Sequence, residues 1–169
     1  MTAEPDFSSI KAIALDVDGV LTDGGFWWGP NGEEWKRFCF ADVMGISLGT
    51  KAGLIFALIS GEDSPLVDRF AAKMGITDVF KGCKDKATAL REFAHRRSLD
   101  LREIAFMGDD VNDLGAMAIA GLSAAPANAV AEVTAGVGYV ASCPGGNGAV
   151  RELLDRLLKA RLAHTEARS

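Results

Sequence analysis

The chain has 169 residues, 49% of them hydrophobic and 24% charged, with 18 Lys and Arg against 23 Asp and Glu. That balance excludes a disordered chain, because the apolar fraction is high and the net charge of -5 is small. It leaves one domain across residues 1–169, long enough to bury a core, with no apolar run near the roughly 20 residues of a membrane span. The acidic balance also argues against a nucleic-acid partner held through its phosphates. Residues 1–6 lack the basic start and apolar stretch of a secretory signal, so the expected location is the cytoplasm.

In chain order, the first predicted strand is Ile10–Leu15, an apolar run that ends in Asp16-Val17-Asp18-Gly19. Residues 24–40 then break the rhythm with two aromatic-rich segments around Pro30-Asn31-Gly32. This predicts a β-hairpin, because Asn-Gly tolerates the positive φ of a tight turn. All three tryptophans of the chain, Trp27, Trp28 and Trp35, fall within it. A lone hairpin is marginal in water and must pack on something, either its own domain or a second subunit. A helix over Val43–Ala52 and a strand over Leu54–Ile59 follow, then a helix over Pro65–Met74 and a strand over Asp78–Phe80.

The second half repeats the alternation. Helices are expected over Lys86–Arg97, Asn112–Ala120, Val130–Ala135 and Ala149–Leu162, with strands over Ile104–Met107, Leu122–Ala124 and Gly138–Val140. Residues Ala163–Ser169 read as a frayed tail. Strands that are continuously apolar suit a sheet covered on both faces. The fold class is therefore α/β, a doubly wound, mostly parallel, Rossmann-like sheet with a hairpin insertion. Ligands in such folds bind beyond the carboxyl ends of the strands.

The chemistry-bearing residues cluster at those ends. Asp16 and Asp18 follow the first strand, and burying unpaired acids there is costly unless they have a task. Ser60-Gly61-Glu62 follows the second, where a hydroxyl and a glycine amide can hold a phosphoryl oxygen or simply form a turn. Gly108-Asp109-Asp110-Val111-Asn112-Asp113 follows a third, as a helix cap built on Asp110 or Asn112, or as a set of hard oxygen ligands for Mg²⁺. Lys86 opens a helix and could neutralise an anion. Cys39, Cys83 and Cys143 form no metal or disulfide pattern. His95 and His164 read as surface residues, so acid–base work falls to carboxylates. Together these residues fit metal-assisted phosphoryl transfer through an aspartyl phosphate.

The order Asp-x-Asp-Gly-Val-Leu-Thr-Asp, Ser-Gly, Lys and Gly-Asp-Asp-x-x-Asp resembles the four motifs of the haloacid dehalogenase superfamily, over about residues 10–158. Asp42-Val43-Met44-Gly45-Ile46, Lys84-Asp85-Lys86 and Pro144-Gly145-Gly146-Asn147-Gly148 are similar to one capless subfamily. It holds the 3-deoxy-D-manno-octulosonate 8-phosphate phosphatases and their relatives acting on nine-carbon, sialic-acid-type 9-phosphates. The resemblance implies Asp16 as nucleophile, Asp18 as acid and base, and Ser60 and Lys86 as phosphoryl ligands. It further implies Mg²⁺ held by Asp16, Asp18 and Asp109, with Asp113 as a ligand or as a group orienting Lys86. The substrate would be a small phosphorylated sugar acid, touched by Ser60, Gly61, Glu62, Lys73 and Lys86. The assembly would be a homotetramer packed through the 24–40 hairpin.

Two departures bear on the substrate. Where the eight-carbon enzymes generally carry Thr-Gly-Arg, this chain has Ser60-Gly61-Glu62, and a glutamate cannot pair with a substrate carboxylate. Glu62 with Lys73 is more similar to the nine-carbon branch, and Val43 replaces a usual glycine. Alternatives are a non-catalytic oligomerisation domain, a phosphatase of another small metabolite, and a phosphoacceptor receiver. The intact set of motif acids argues against the first, and the position of Asp16 and Asp18 argues against the last.

Overall fold

A computed structural model describes residues 6–167 of the chain. Its central strand, β1 (Ala12–Leu15), is buried along its whole length. Ile13 and Leu15 join one apolar cluster while Ala12 and Ala14 join the other, the two-residue period of a strand covered on both faces. After β1 the chain makes the hairpin strands β2 (Trp27–Trp28) and β3 (Glu34–Trp35), then α1 (Phe40–Lys51), β4 (Ile55–Ile59), α2 (Pro65–Met74), β5 (Asp78–Phe80) and α3 (Lys86–Arg97). The second half supplies β6 (Ile104–Met107), α4 (Leu114–Met117), β7 (Leu122–Ala125), α5 (Ala131–Thr134), β8 (Tyr139–Val140) and α6 (Ala149–Glu166).

Six strands form one sheet in the order β5-β4-β1-β6-β7-β8, every neighbouring pair parallel. The chain winds first to one side of β1 and then to the other, the doubly wound topology expected. Ile46 of α1, Phe70 of α2 and Leu153 of α6 pack on one face. Phe93 of α3, Met117 of α4 and Val133 of α5 pack on the other. Leu15 of β1 lies in register with both Leu58 and Met107. The residues that follow these three strands therefore emerge side by side at one edge.

Local chemistry explains most boundaries. Ser64 accepts from the Leu66 amide at the start of α2, Pro65 takes the first helical position, and Gly75 ends the helix in the left-handed region. Asp85 caps α3 by accepting from Ala87 and Thr88, which leaves Lys86 as the first residue of that helix. Three expectations change. The helix over Asn112–Ala120 is instead a 3₁₀ turn, Val111–Asp113, followed by the four residues of α4. Helix α1 begins at Phe40 rather than Val43. Helix α6 runs four residues past Leu162 to Glu166, with Thr165 Oγ1 donating to the Arg161 carbonyl, so residues 163–166 continue the helix. Arg168 and Ser169 lie outside the described residues.

The hairpin forms as read, but its strands are only two residues each, pairing Trp27 with Trp35 and Trp28 with Glu34. Trp28 and Phe40 are 71% and 72% exposed, and Met44 and Leu48 of α1 extend this apolar face. Among the described residues no helix is long and apolar enough to cross a membrane.

Candidate active site

The edge formed by the ends of β1, β4 and β6 carries a cleft of about 290 Å³ lined by Asp16, Asp18, Gly61, Glu62, Lys86, Asp109, Asp110, Val111 and Asn112. It lies where the strand order reverses, beside β1, the place where open α/β sheets bind ligands. Asp16 follows Leu15 directly, and its amide donates to the Met107 carbonyl at 3.0 Å. Its carboxylate is nearly buried, with Oδ1 2.9 Å from Lys86 Nζ. Lys86 also donates to Asp113 Oδ1 at 2.6 Å. The other oxygen of Asp113, Oδ2, accepts from the amides of Asp109 at 2.9 Å and Asp110 at 3.2 Å. Asp113 thus holds both the lysine and the loop, and Asp110 provides the helix cap.

Gly19 lets this loop close. Its φ of +89° is left-handed, and a Cβ there would lie 1.9 Å from Asp109 Oδ2. Any side chain at position 19 would push aside the carboxylate opposite Asp16.

The electrostatics are unbalanced. Asp16, Asp109 and Asp113 offer oxygens within 4.8 Å of one another, yet Lys86 is the cation between them. Burial first, and then the Asp113 charge, push the Asp16 carboxyl well above the ordinary carboxylate range. The same two causes raise Asp109. For Lys86, burial works against the charge, but Asp16 and Asp113 outweigh it and hold its pKa above the usual lysine value. A buried, all-oxygen set with excess negative charge fits a hard divalent cation such as Mg²⁺. Such a cation would let Asp16 stay ionised.

The remaining residues divide clearly. Gly61 and Glu62 line the cleft. Ser60 does not: it is fully buried, and its Oγ accepts from the Glu62 amide at 3.2 Å, a turn contact that leaves the hydroxyl its own proton to donate. Lys73 is not brought to the cleft either. It lines an adjoining cavity of about 520 Å³ under the hairpin, with Trp35, Phe38, Arg69 and Phe70.

Sequence reasoning missed Lys36. This hairpin residue reaches Asp18 Oδ1 at 2.8 Å and Glu62 Oε2 at 2.9 Å. Burial opposes its charge, and contacts with Asp18 and Glu62 more than offset that, so its pKa is raised. The one local signal is its spacing of two from Glu34, which the strand pattern sets on the hairpin face opposite Trp35.

Comparison with known proteins gives the family. Residues 54–153 match the haloacid dehalogenase-like hydrolase family. The chain is a haloacid dehalogenase-like hydrolase. It belongs with the 3-deoxy-D-manno-octulosonate 8-phosphate phosphatases. The Haemophilus influenzae phosphatase of that name is 40% identical over 90% of this hydrolase and 85% of its own length. The crystal structure of the Moraxella catarrhalis phosphatase, in complex with magnesium, phosphate and KDO, superposes with a TM-score of 0.90 at 35% identity, covering 97% of this chain and 96% of that one. The cobalt-bound Haemophilus influenzae structure gives 0.89 at 39% identity, covering 92% and 91%.

Proposed function

We propose that this hydrolase is a Mg²⁺-dependent phosphatase that removes the terminal phosphate of a 2-keto-3-deoxy sugar acid through an aspartyl-phosphate intermediate. The observation that carries it is the Asp16–Lys86–Asp113 chain facing Asp109 at the end of the central strand. The cation would be held by the Asp16 and Asp109 carboxylates and the backbone carbonyl of Asp18, with Asp113 kept for Lys86. When bound, Mg²⁺ neutralises part of the phosphoryl charge and polarises the phosphorus–oxygen bonds.

Asp16 attacks phosphorus with one carboxylate oxygen, and the bond from phosphorus to the sugar oxygen breaks. Asp18 gives its proton to that departing oxygen, then takes one from the water that cleaves the acyl phosphate. The products are the free sugar acid, inorganic phosphate and the restored Asp16 carboxylate. Lys86 holds a phosphoryl oxygen and stabilises the charge that develops in the transition state.

The 8-phosphate of 3-deoxy-D-manno-octulosonate is the first substrate to test, because the relatives at 37–40% identity carry that name. Glu62 favours a polyol over a carboxylate at its wall of the cleft, which keeps nine-carbon acid 9-phosphates in the comparison. Magnesium-dependent phosphate release is expected from wild type and lost in Asp16→Asn; retained turnover in that variant refutes the nucleophile. A steady-state comparison of kcat/KM for the two sugar-acid phosphates identifies the substrate. We further infer a homotetramer joined through the aromatic hairpin. Replacing Trp27 and Trp28 with Ser should then yield smaller species in sedimentation velocity.

A further inference from the structure

Lys36 is where the hairpin insertion enters the catalytic cleft. Its side chain is 2% exposed, and its ammonium lies 2.8 Å from Asp18 Oδ1, 2.9 Å from Glu62 Oε2 and 3.5 Å from Glu34 Oε1. An ammonium has three protons. Asp18 and Glu62 each take one of them, while Glu34 at 3.5 Å adds only a longer ion pair. A charge this buried is tolerated only with such pairing.

The consequence falls on Asp18. Its Oδ1 is fixed by Lys36, while its Oδ2 is buried and has no hydrogen-bond partner. One carboxylate of the cleft therefore has one oxygen tied down and the other uncommitted. Such a group can pass a proton repeatedly without changing its orientation. Glu62, on the wall beside Gly61, is tied to the same ammonium.

We propose that Lys36 is a positioning residue: it locks the Asp18 carboxylate through Oδ1, leaves Oδ2 for the proton transfers, and couples that geometry to Glu62. This rests on the acid–base role given to Asp18 above. The group that moves protons is thereby held in place by the hairpin and not by the sheet edge that supplies the nucleophile. A docked hairpin becomes a condition for turnover, even on a phosphate ester too small to touch it.

The test is a set of variants assayed with magnesium on p-nitrophenyl phosphate and on the sugar-acid phosphate. Lys36→Met keeps the apolar stem and removes the charge. Its kcat should fall on the order of 10–100-fold on both substrates, part of the ~10²–10⁴ that a positioned acid or base supplies, with KM for p-nitrophenyl phosphate within about threefold. Lys36→Arg should recover most of that kcat, because a guanidinium can still bridge two carboxylates. Glu34→Gln, which removes only the most distant partner, should leave both constants within about twofold. In single-turnover phosphate release, adding Lys36→Met to Asp18→Asn should cost nothing further.

Additive losses in that double variant, or a rise in KM with kcat retained, would overturn the proposal and leave Lys36 as a hairpin anchor. If Lys36→Met loses its fold by near-ultraviolet circular dichroism, Lys36→Gln, which keeps a polar group and removes the charge, carries the same cycle with Asp18→Asn. Wild-type activity that is lost in Asp16→Asn but indifferent to Lys36→Met would refute the positioning role while sparing the phosphatase reading.

Discussion

Two carboxylate environments in this molecule are opposites. At the sheet edge, Asp16, Asp109 and Asp113 crowd around Lys86, and burial drives Asp16 and Asp109 towards their protonated forms. Near the start of α6, Glu152 accepts from the Tyr139 hydroxyl at 2.7 Å, the Ser142 amide at 2.9 Å, the Ser142 hydroxyl at 2.8 Å and the Cys143 amide at 3.0 Å. Burial would raise the Glu152 pKa, but these donors outweigh it and pull the value down to about 2. The same chemical group is a structural clamp where donors surround it and is pushed towards its protonated form where other acids do. An excess of buried negative charge costs stability in the metal-free fold and is retained where the chemistry needs it.

The sharpest way to break that contrast is Lys86→Met. It strips the buried acids of their cation, so on the proposed phosphatase reading activity should fall below detection. Stability should drop by about 3–5 kcal/mol, the usual penalty for orphaning buried ion-pair partners, read by urea denaturation without metal. Asp109→Asn acts the other way. Removing one crowded carboxylate should raise the melting temperature of the metal-free protein by a few degrees and abolish the further rise on adding Mg²⁺, both read by calorimetry. A variant that melts lower than wild type without metal would contradict the stored repulsion.

Glu152→Gln tests the clamp. It should cost about 1–2 kcal/mol near pH 7 with no change in magnesium dependence of turnover. Because the folded pKa is depressed, the Glu152 contribution is fully present above its ordinary value of 4.5 and is lost as pH falls through the folded value near 2. The gap in stability between wild type and variant should therefore narrow between about pH 4.5 and 2. The smallest effect is expected away from both regions, in α1. A Cβ on Gly49 would lie 2.8 Å from Phe56 Cζ. Overpacking of about 1–3 kcal/mol should exceed the roughly 0.5–1 kcal/mol that alanine gains in a helix, so Gly49→Ala should be mildly destabilising.

Much of this contrast was legible before folding. The strand over Ile104–Met107 and the helices over Pro65–Met74 and Lys86–Arg97 follow from apolar period and caps, and the structure agrees with them residue for residue. Asp16, Asp18 and Asp109 stand out because they follow apolar strands directly. Lys86 was legible as a helix-opening cation, but not as a buried one. Asn112–Ala120 misled because its composition suits a helix, while the reciprocal cap between Asp110 and Asp113 winds the chain into a 3₁₀ turn. Ser60 could serve a ligand or a turn, and its Oγ accepting from the Glu62 amide is compatible with both, because the hydroxyl keeps its own proton to donate.

The sequence by itself determined the element order, the doubly wound class and the set of acids at the strand ends, because periodicity and capping act over a few residues. Tertiary structure decided which charges meet. Lys36 reaches Glu62 across 26 residues, Lys86 reaches Asp113 across 27, and Lys73 turns to a different cavity from the one its motif suggested. Such pairings depend on where crossovers bring one strand end beside another, and no local pattern encodes that distance.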